Sequence, residues 1–166
     1  MWGNKKLDKF ILGTLFVVGI GLLPLALRKR PIKDWLLVFL WNAATNGIID
    51  NFVVTYNTVK YPTRLLPKVF KINILFDFLL YPTMTMFYNQ FTEKDNKPLT
   101  IFLKLLCFTI PMILIELWAE RNTGLIKFKR SWKWYHSFIS LNVKSLVTRL
   151  WIGLVRKMEE KQKMVQ

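Results

Sequence analysis

The chain has 166 residues, enough for one domain; 52% are apolar, 15% aromatic and 21% charged. Lys and Arg outnumber Asp and Glu by 25 to 10, a formal charge of +15. So apolar a composition excludes a disordered tail. The single Cys107 excludes an intrachain disulfide framework and a Cys-rich zinc site.

Five apolar blocks follow one another, at residues 10–27, 35–56, 72–91, 99–119 and 134–155. A helix rising 1.5 Å per residue crosses a bilayer core of about 30 Å in roughly 20 residues, and each block has about that length. The first block carries no charge, and neither does the second as far as Ile49. Faces apolar all round are buried all round, and a soluble domain of this size has too little interior for five of them. The pattern predicts an all-α polytopic transmembrane bundle of four to five helices, forming one domain without a soluble part.

In chain order, Lys5, Lys6 and Lys9 precede the first block and Arg28-Lys29-Arg30 closes it. No small-x-small cleavage site follows, so the block reads as a retained span ending near Pro24 and Pro31 rather than a signal peptide. The second block opens on Trp35 and carries Asn42, Asn46 and Asp50 at intervals of four, one polar stripe on a helix. The next connection holds Lys60, Arg64, Lys68 and Lys71, with Pro62 and Pro67 breaking any helix there. Its expected partner is the anionic headgroup surface.

The third block repeats the four-residue spacing with Asp77, Tyr81 and Thr85, and Pro82 is expected to kink it. The fourth carries Lys104 near its start, expected to snorkel outward, Cys107 in its middle, expected as a small buried hydrophobe, and Glu116 and Glu120 on one face at its end. The connection after it holds Arg121, Lys127, Lys129, Arg130 and Lys133. The last block begins at His136 beside Trp134 and Tyr135, and contains Lys144 and Arg149. These two lie about 140° apart on a helix, so they make no single polar face of the kind an in-plane helix needs. The block is read as a fifth span, with Arg149 buried against an acid and Lys144 snorkelling, and as an interfacial helix in the alternative. With five spans the two sides hold twelve and ten Lys and Arg; with four they hold 18 and 6. The positive-inside rule then puts the N-terminus in the cytoplasm.

Alternating span directions place Asp50 about 9 Å, Asp77 about 7.5 Å and Glu116 about 4.5 Å inside one membrane face. Glu120 and His136 sit near the same level. Together with Asn46 and Arg149 they form the candidate intramembrane polar cluster. Charges inside a span are costly and mark functional candidates. The leading expectation is a structural or interaction component of a membrane assembly, its acids fixing helix packing. The alternative is a cation- or proton-coupled transporter or channel module, and a third is a lipid-acting enzyme. No G-x-S-x-G, H-E-x-x-H or Gly-rich phosphate loop occurs, so no catalytic, cofactor or metal residue is assigned. Lys and Arg concentrated in the loops argue for lipid rather than nucleic acid as the partner, with a homo-oligomer or a second membrane protein as the other expected contact.

Several strings carry a resemblance. They are Pro31-Ile32-Lys33-Asp34-Trp35-Leu36, Phe76-Asp77-Phe78-Leu79-Leu80-Tyr81-Pro82, Tyr88-Asn89-Gln90-Phe91-Thr92, Ile110-Pro111-Met112, Glu116-Leu117-Trp118-Ala119-Glu120 with Thr123, and Leu125-Ile126-Lys127-Phe128-Lys129. Over residues 19–157 the chain resembles an uncharacterised family of small multi-spanning membrane proteins from spore-forming Gram-positive bacteria. The resemblance implies a bacterial plasma membrane location and acidic residues at the positions of Asp50, Asp77, Glu116 and Glu120. It implies no substrate, cofactor or reaction.

Overall fold

The computed structural model describes residues 5–129 and 132–165. Arg130, one of the basic residues expected to flank the last helix, lies outside the described residues. The chain is an all-α bundle. Helix α1 is Lys5–Leu27, α2 Ile32–Thr55, α3 Tyr81–Phe91, α4 Pro98–Asn122 and α5 Trp134–Val165. Four of them, α1, α2, α4 and α5, are long and apolar enough to cross a membrane.

The exception is α3, and its sequence explains why. It is entered through a π-helical turn, Phe76–Leu80, in which the Tyr81 N–H reaches back five residues to the Phe76 carbonyl. Pro82 follows at once; its ring crowds the carbonyl four residues back and its nitrogen has no hydrogen to give, so a regular α-turn cannot continue through it. From there α3 is polar and buried. Thr83, Thr85 and Thr92 donate to the carbonyls of Leu79, Tyr81 and Tyr88 at 2.7, 2.9 and 2.8 Å, and Asn89 Nδ2 donates to the Thr85 carbonyl at 2.8 Å. Side chains satisfied by their own helix can be enclosed without cross-helix partners. The third block is therefore the central helix of the bundle, wrapped by the others.

One end of the bundle, here called basal, is closed by two connections. Val59–Lys60 (β1) pairs antiparallel with Lys127–Phe128 (β2), Val59 opposite Phe128. Thr63 N–H donates to the Gly124 carbonyl at 2.8 Å. Asp8, on the first turns of α1 and 1% exposed, accepts from Thr63 Oγ1 at 3.0 Å and from the Gly124 N–H at 3.1 Å. Beneath this floor Leu12, Leu75 and Leu125 form one apolar cluster. The guanidinium of Arg64 donates to the carbonyls of Tyr61 and Phe70 at 2.6 Å each and of Pro67 at 3.3 Å. Arg64 is thus a brace of its own loop rather than a free headgroup contact, whereas Lys60, Lys68 and Lys71 are exposed.

At the distal end, Trp35 is fully buried with Ala26, Val38, Met86 and Ile152. Around it Arg156 Nε meets Asp34 Oδ2 at 2.6 Å and Arg156 Nη2 meets Glu93 Oε1 at 3.0 Å, while Lys29 meets Glu93 Oε2 at 2.8 Å. Lys104 reaches this end too, pairing with Asp95 Oδ2 at 2.7 Å. Helix α5 is anchored at both ends. Ser137 near its start donates to Glu116 on α4 at 2.8 Å, and Arg156 near its end holds Asp34 on α2. It stands alongside the other helices, and Trp151 stacks on Trp41 of α2 at 4.9 Å.

The distribution of side chains is inverted relative to a water-soluble bundle. Among the described residues as many polar as apolar side chains are buried, while Phe10, Val17, Leu40, Phe52, Leu114, Ile115 and Leu150 are exposed. Cys107 is exposed on α4 as well, rather than enclosed. Apolar surface of this extent is stable where the solvent is hydrocarbon.

Candidate functional site

Between the helices at the basal end lies a cavity of about 110 Å³, large enough for a few waters. Its wall includes Asn46 and Asp50 of α2, Asp77 of the π-helical turn, Glu116 of α4, and Ser137 and Ser140 of α5, with Tyr61 and Trp132 from the two connections. The four-residue stripe on α2 brings Asn46 and Asp50 to this side, and the π-helical turn brings Asp77 opposite them.

The carboxyl of Asp50 accepts from the Tyr61 hydroxyl at 2.8 Å and from the Asn73 N–H at 3.4 Å. The Asp77 side chain lines the same cavity wall. Asp77 is 5% exposed, and its Oδ2 receives no hydrogen-bond donor among the described residues. Asn46 Nδ2 caps the backbone carbonyl of Asp77 at 3.3 Å instead. Glu116 accepts from Ser137, whose oxygen is itself held by Trp132 Nε1 at 2.9 Å. Tyr61, in the connection outside the spans, is held well above the ordinary phenol range, first by burial and then by the neighbouring Asp50 and Asp77 carboxyls, so it stays a donor.

Above the cavity Lys144 points inward. Its ammonium bonds Asn46 Oδ1, reaches the Asn42 carbonyl at 3.4 Å and stands 5.1 Å from the centre of the Tyr81 ring. Lys144 is therefore not a snorkelling residue. One turn on, Thr148 donates to Asn42 Oδ1 at 3.2 Å.

The cluster expected from sequence separates into parts. Asn46, Asp50, Asp77 and Glu116 share the cavity wall. Glu120 does not reach it; its backbone carbonyl takes the Lys127 ammonium. His136 caps the start of α5, its Nδ1 accepting from the Lys133 N–H at 3.1 Å and its ring stacked on Trp132. Arg149 belongs to the distal end and, among the described residues, pairs with no acid side chain. It donates to Thr92 Oγ1 at 2.6 Å and to the Asp95 carbonyl at 3.0 Å. Helical rise separates it from Ser137 by twelve residues, about 18 Å, too far for the basal layer. Tyr61, Ser137 and Lys144 are the partners that sequence reasoning left out of the cluster. A Ser one position after His136 and a Lys inside an apolar block were the available signals.

Among the described residues no group of three His, Cys, Asp or Glu side chains stands in metal-ligating geometry. The fold and surface define a multi-pass helical membrane protein. No family model matches the chain, and no curated protein or solved structure does either.

Proposed function

We propose that this is a bacterial plasma membrane protein whose bundle binds a proton at the Asp50–Asp77 pair and serves as a small proton-coupled module. The observation that carries the reading is Asp77 Oδ2, a buried oxygen with no donor among the described residues, on a cavity wall it shares with Asp50 and Glu116. Groups used only to hold helices together are paired, because an unpaired buried polar atom costs roughly 1–3 kcal/mol. Here the cross-helix contacts are made by other residues: Asn42 with Thr148, Thr109 with Asn142 at 3.3 Å, and Tyr81 with Ser145 at 3.2 Å. Asp50 is held by Tyr61 and Glu116 by Ser137, but the Asp77 carboxyl oxygen Oδ2 is left over from that task.

Trp35, Val38 and Met86, all fully buried, seal the bundle above the site. A small buried polar site of this kind suits a carrier or sensor that alternates between states. A carrier of this size gains a complete pathway by pairing with a second copy. The N-terminus and the loop carrying Lys60, Lys68 and Lys71 are assigned to the cytoplasm and its anionic headgroups, supported by the basic residues of the two basal connections.

The test is proton flux. Purified protein in liposomes collapses an imposed pH gradient faster than empty liposomes, and Asp77→Asn brings the rate back to the empty level while helical content and elution volume stay unchanged. Wild-type flux no faster than empty liposomes, or undiminished flux in folded Asp77→Asn, overturns the proposal. The second reading, a purely structural bundle, is favoured by the dense Asn42–Thr148–Lys144 network. It expects no flux and loss of the folded form in Asp77→Asn.

A further inference from the structure

A second cavity, at the distal end and independent of the carboxyl site, has a volume of about 510 Å³. Its wall includes Trp35, Asn89, Glu93, Arg149, Arg156 and Lys157. Three cations against one carboxylate make it a place for an anion, even with Asp34 held on Arg156. The two guanidiniums are fixed from behind, Arg149 by Thr92 and the Asp95 carbonyl, Arg156 by Asp34 and Glu93. Their positions are set before any ligand arrives.

Besides Arg156 Nη2, which stands 3.0 Å from Glu93 Oε1 without a hydrogen bond, two buried polar atoms of this wall have no hydrogen-bond partner among the described residues. One is a donor, Nε1 of the fully buried Trp35; the other is an acceptor, Oδ1 of Asn89, which is 3% exposed. The Asn89 amide is oriented by its own Nδ2, which donates to the Thr85 carbonyl, so Oδ1 is held away from that bond. A ligand that satisfies both carries an anionic oxygen for the indole N–H and a donor for the amide oxygen.

The remaining wall says from which side such a ligand comes. Leu150 and Leu154 line the same cavity and are 69% and 61% exposed on the outer face of α5. Between them Gly153 leaves a gap: a Cβ built there meets nothing within 4 Å. A polar recess at the end of the bundle is thus continuous with an apolar surface running down α5, the profile of a headgroup continued by acyl chains.

We infer that this recess binds one glycerophospholipid whose headgroup carries an N–H or O–H donor, such as ethanolamine or glycerol. The phosphodiester lies against Arg149, Lys157 and Trp35 Nε1, the headgroup donor against Asn89 Oδ1, and the chains over Leu150 and Leu154. Choline, which has no donor, satisfies the phosphate contacts and leaves Asn89 unpaired.

The experiment is native mass spectrometry of the detergent-purified chain, titrated with phosphatidylethanolamine, phosphatidylglycerol and phosphatidylcholine of identical chains. The donor-bearing lipids bind about tenfold or more tightly than phosphatidylcholine, the scale of one hydrogen bond to a charged or buried group. Gly153→Leu fills the gap without a clash and lowers that affinity by at least as much, with circular dichroism unchanged; Lys157→Gln lowers it too. Equal binding of all three lipids, or Gly153→Leu binding like wild type, overturns the inference. Displacement of the lipid by inorganic phosphate at equal concentration overturns the lipid as the source of the phosphate.

Discussion

The carboxylate of Asp8 accepts the Gly124 N–H at 3.1 Å, joining residues 116 positions apart. With the Thr63 hydroxyl on the same oxygen, it ties α1 to both basal connections at a point sealed from solvent. A Cβ at Gly124 falls 2.8 Å from Asp8 Oδ2 and 3.1 Å from Thr63 Oγ1. Asp8→Ala leaves the Gly124 N–H without its acceptor, and Gly124→Ala forces the three groups apart. Each is expected to cost about 1–3 kcal/mol, read as a lowered unfolding temperature in detergent.

Asp34 and Arg156 form the distal counterpart. Asp34 is nearly enclosed, its side chain 4% exposed, while that of Arg156 keeps 29%. Arg156→Met leaves Asp34 buried without its partner and is expected to destabilise by about 3 kcal/mol, the lower end for a broken buried pair. The double variant Asp34→Asn/Arg156→Met recovers part of the loss. A double-mutant cycle by thermal unfolding measures the difference.

Beyond the membrane-facing part of α5, Glu159 bonds Lys33 at the start of α2 and Lys163 one turn on, at 2.9 Å. The Lys33 contact first, then that of Lys163, hold its carboxyl down to about 2. A depressed carboxyl contributes its contact above the ordinary value and loses it as the pH falls through the lowered one. The tether between α5 and α2 is therefore intact at pH 5 and released between about pH 4.5 and 2. Hydrogen exchange along residues 157–164 is expected to rise across that window in wild type, and to be high and flat in Glu159→Gln.

Gly19 is the point at which α1 meets the π-helical turn. A Cβ there lies 2.7 Å from Leu79 Cδ2 and 2.9 Å from Leu79 Cγ, with Leu80 Cδ2 at 3.0 Å. Gly19→Ala is expected to cost about 1–3 kcal/mol by overpacking. Gly13, whose Cβ meets nothing within 4 Å, tolerates the same substitution without loss. Parallel thermal melts compare the two.

The spans were legible because uncharged apolar runs of bilayer length leave few alternatives, and α1, α2, α4 and α5 cover blocks visible in the sequence. The Asn42–Asn46–Asp50 stripe was legible for a similar reason: a spacing of four on a helix has one geometric meaning. Two features were not. Periodicity assumes a regular helix, and the π-helical turn at Phe76–Leu80 resets the register before Tyr81. Direction was the other: Lys144 and Arg149 both stand inside an apolar block, yet one points to Asn46 and the other to Thr92. Only the placement of α2 and α3 around α5 decides between them. The same holds for Tyr61, which reaches Asp50 because the β1–β2 pairing folds its loop beneath the bundle.

The burial of α3 at the centre has a consequence for biogenesis. A segment this short and this rich in Thr, Asn and Tyr, with Asp77 and Pro82 at its entry, partitions poorly into lipid on its own. The insertion machinery has to hold it until α4, and finally α5, emerge to enclose it. Truncating the chain before residue 134 removes α5 and leaves α3 without part of its enclosure.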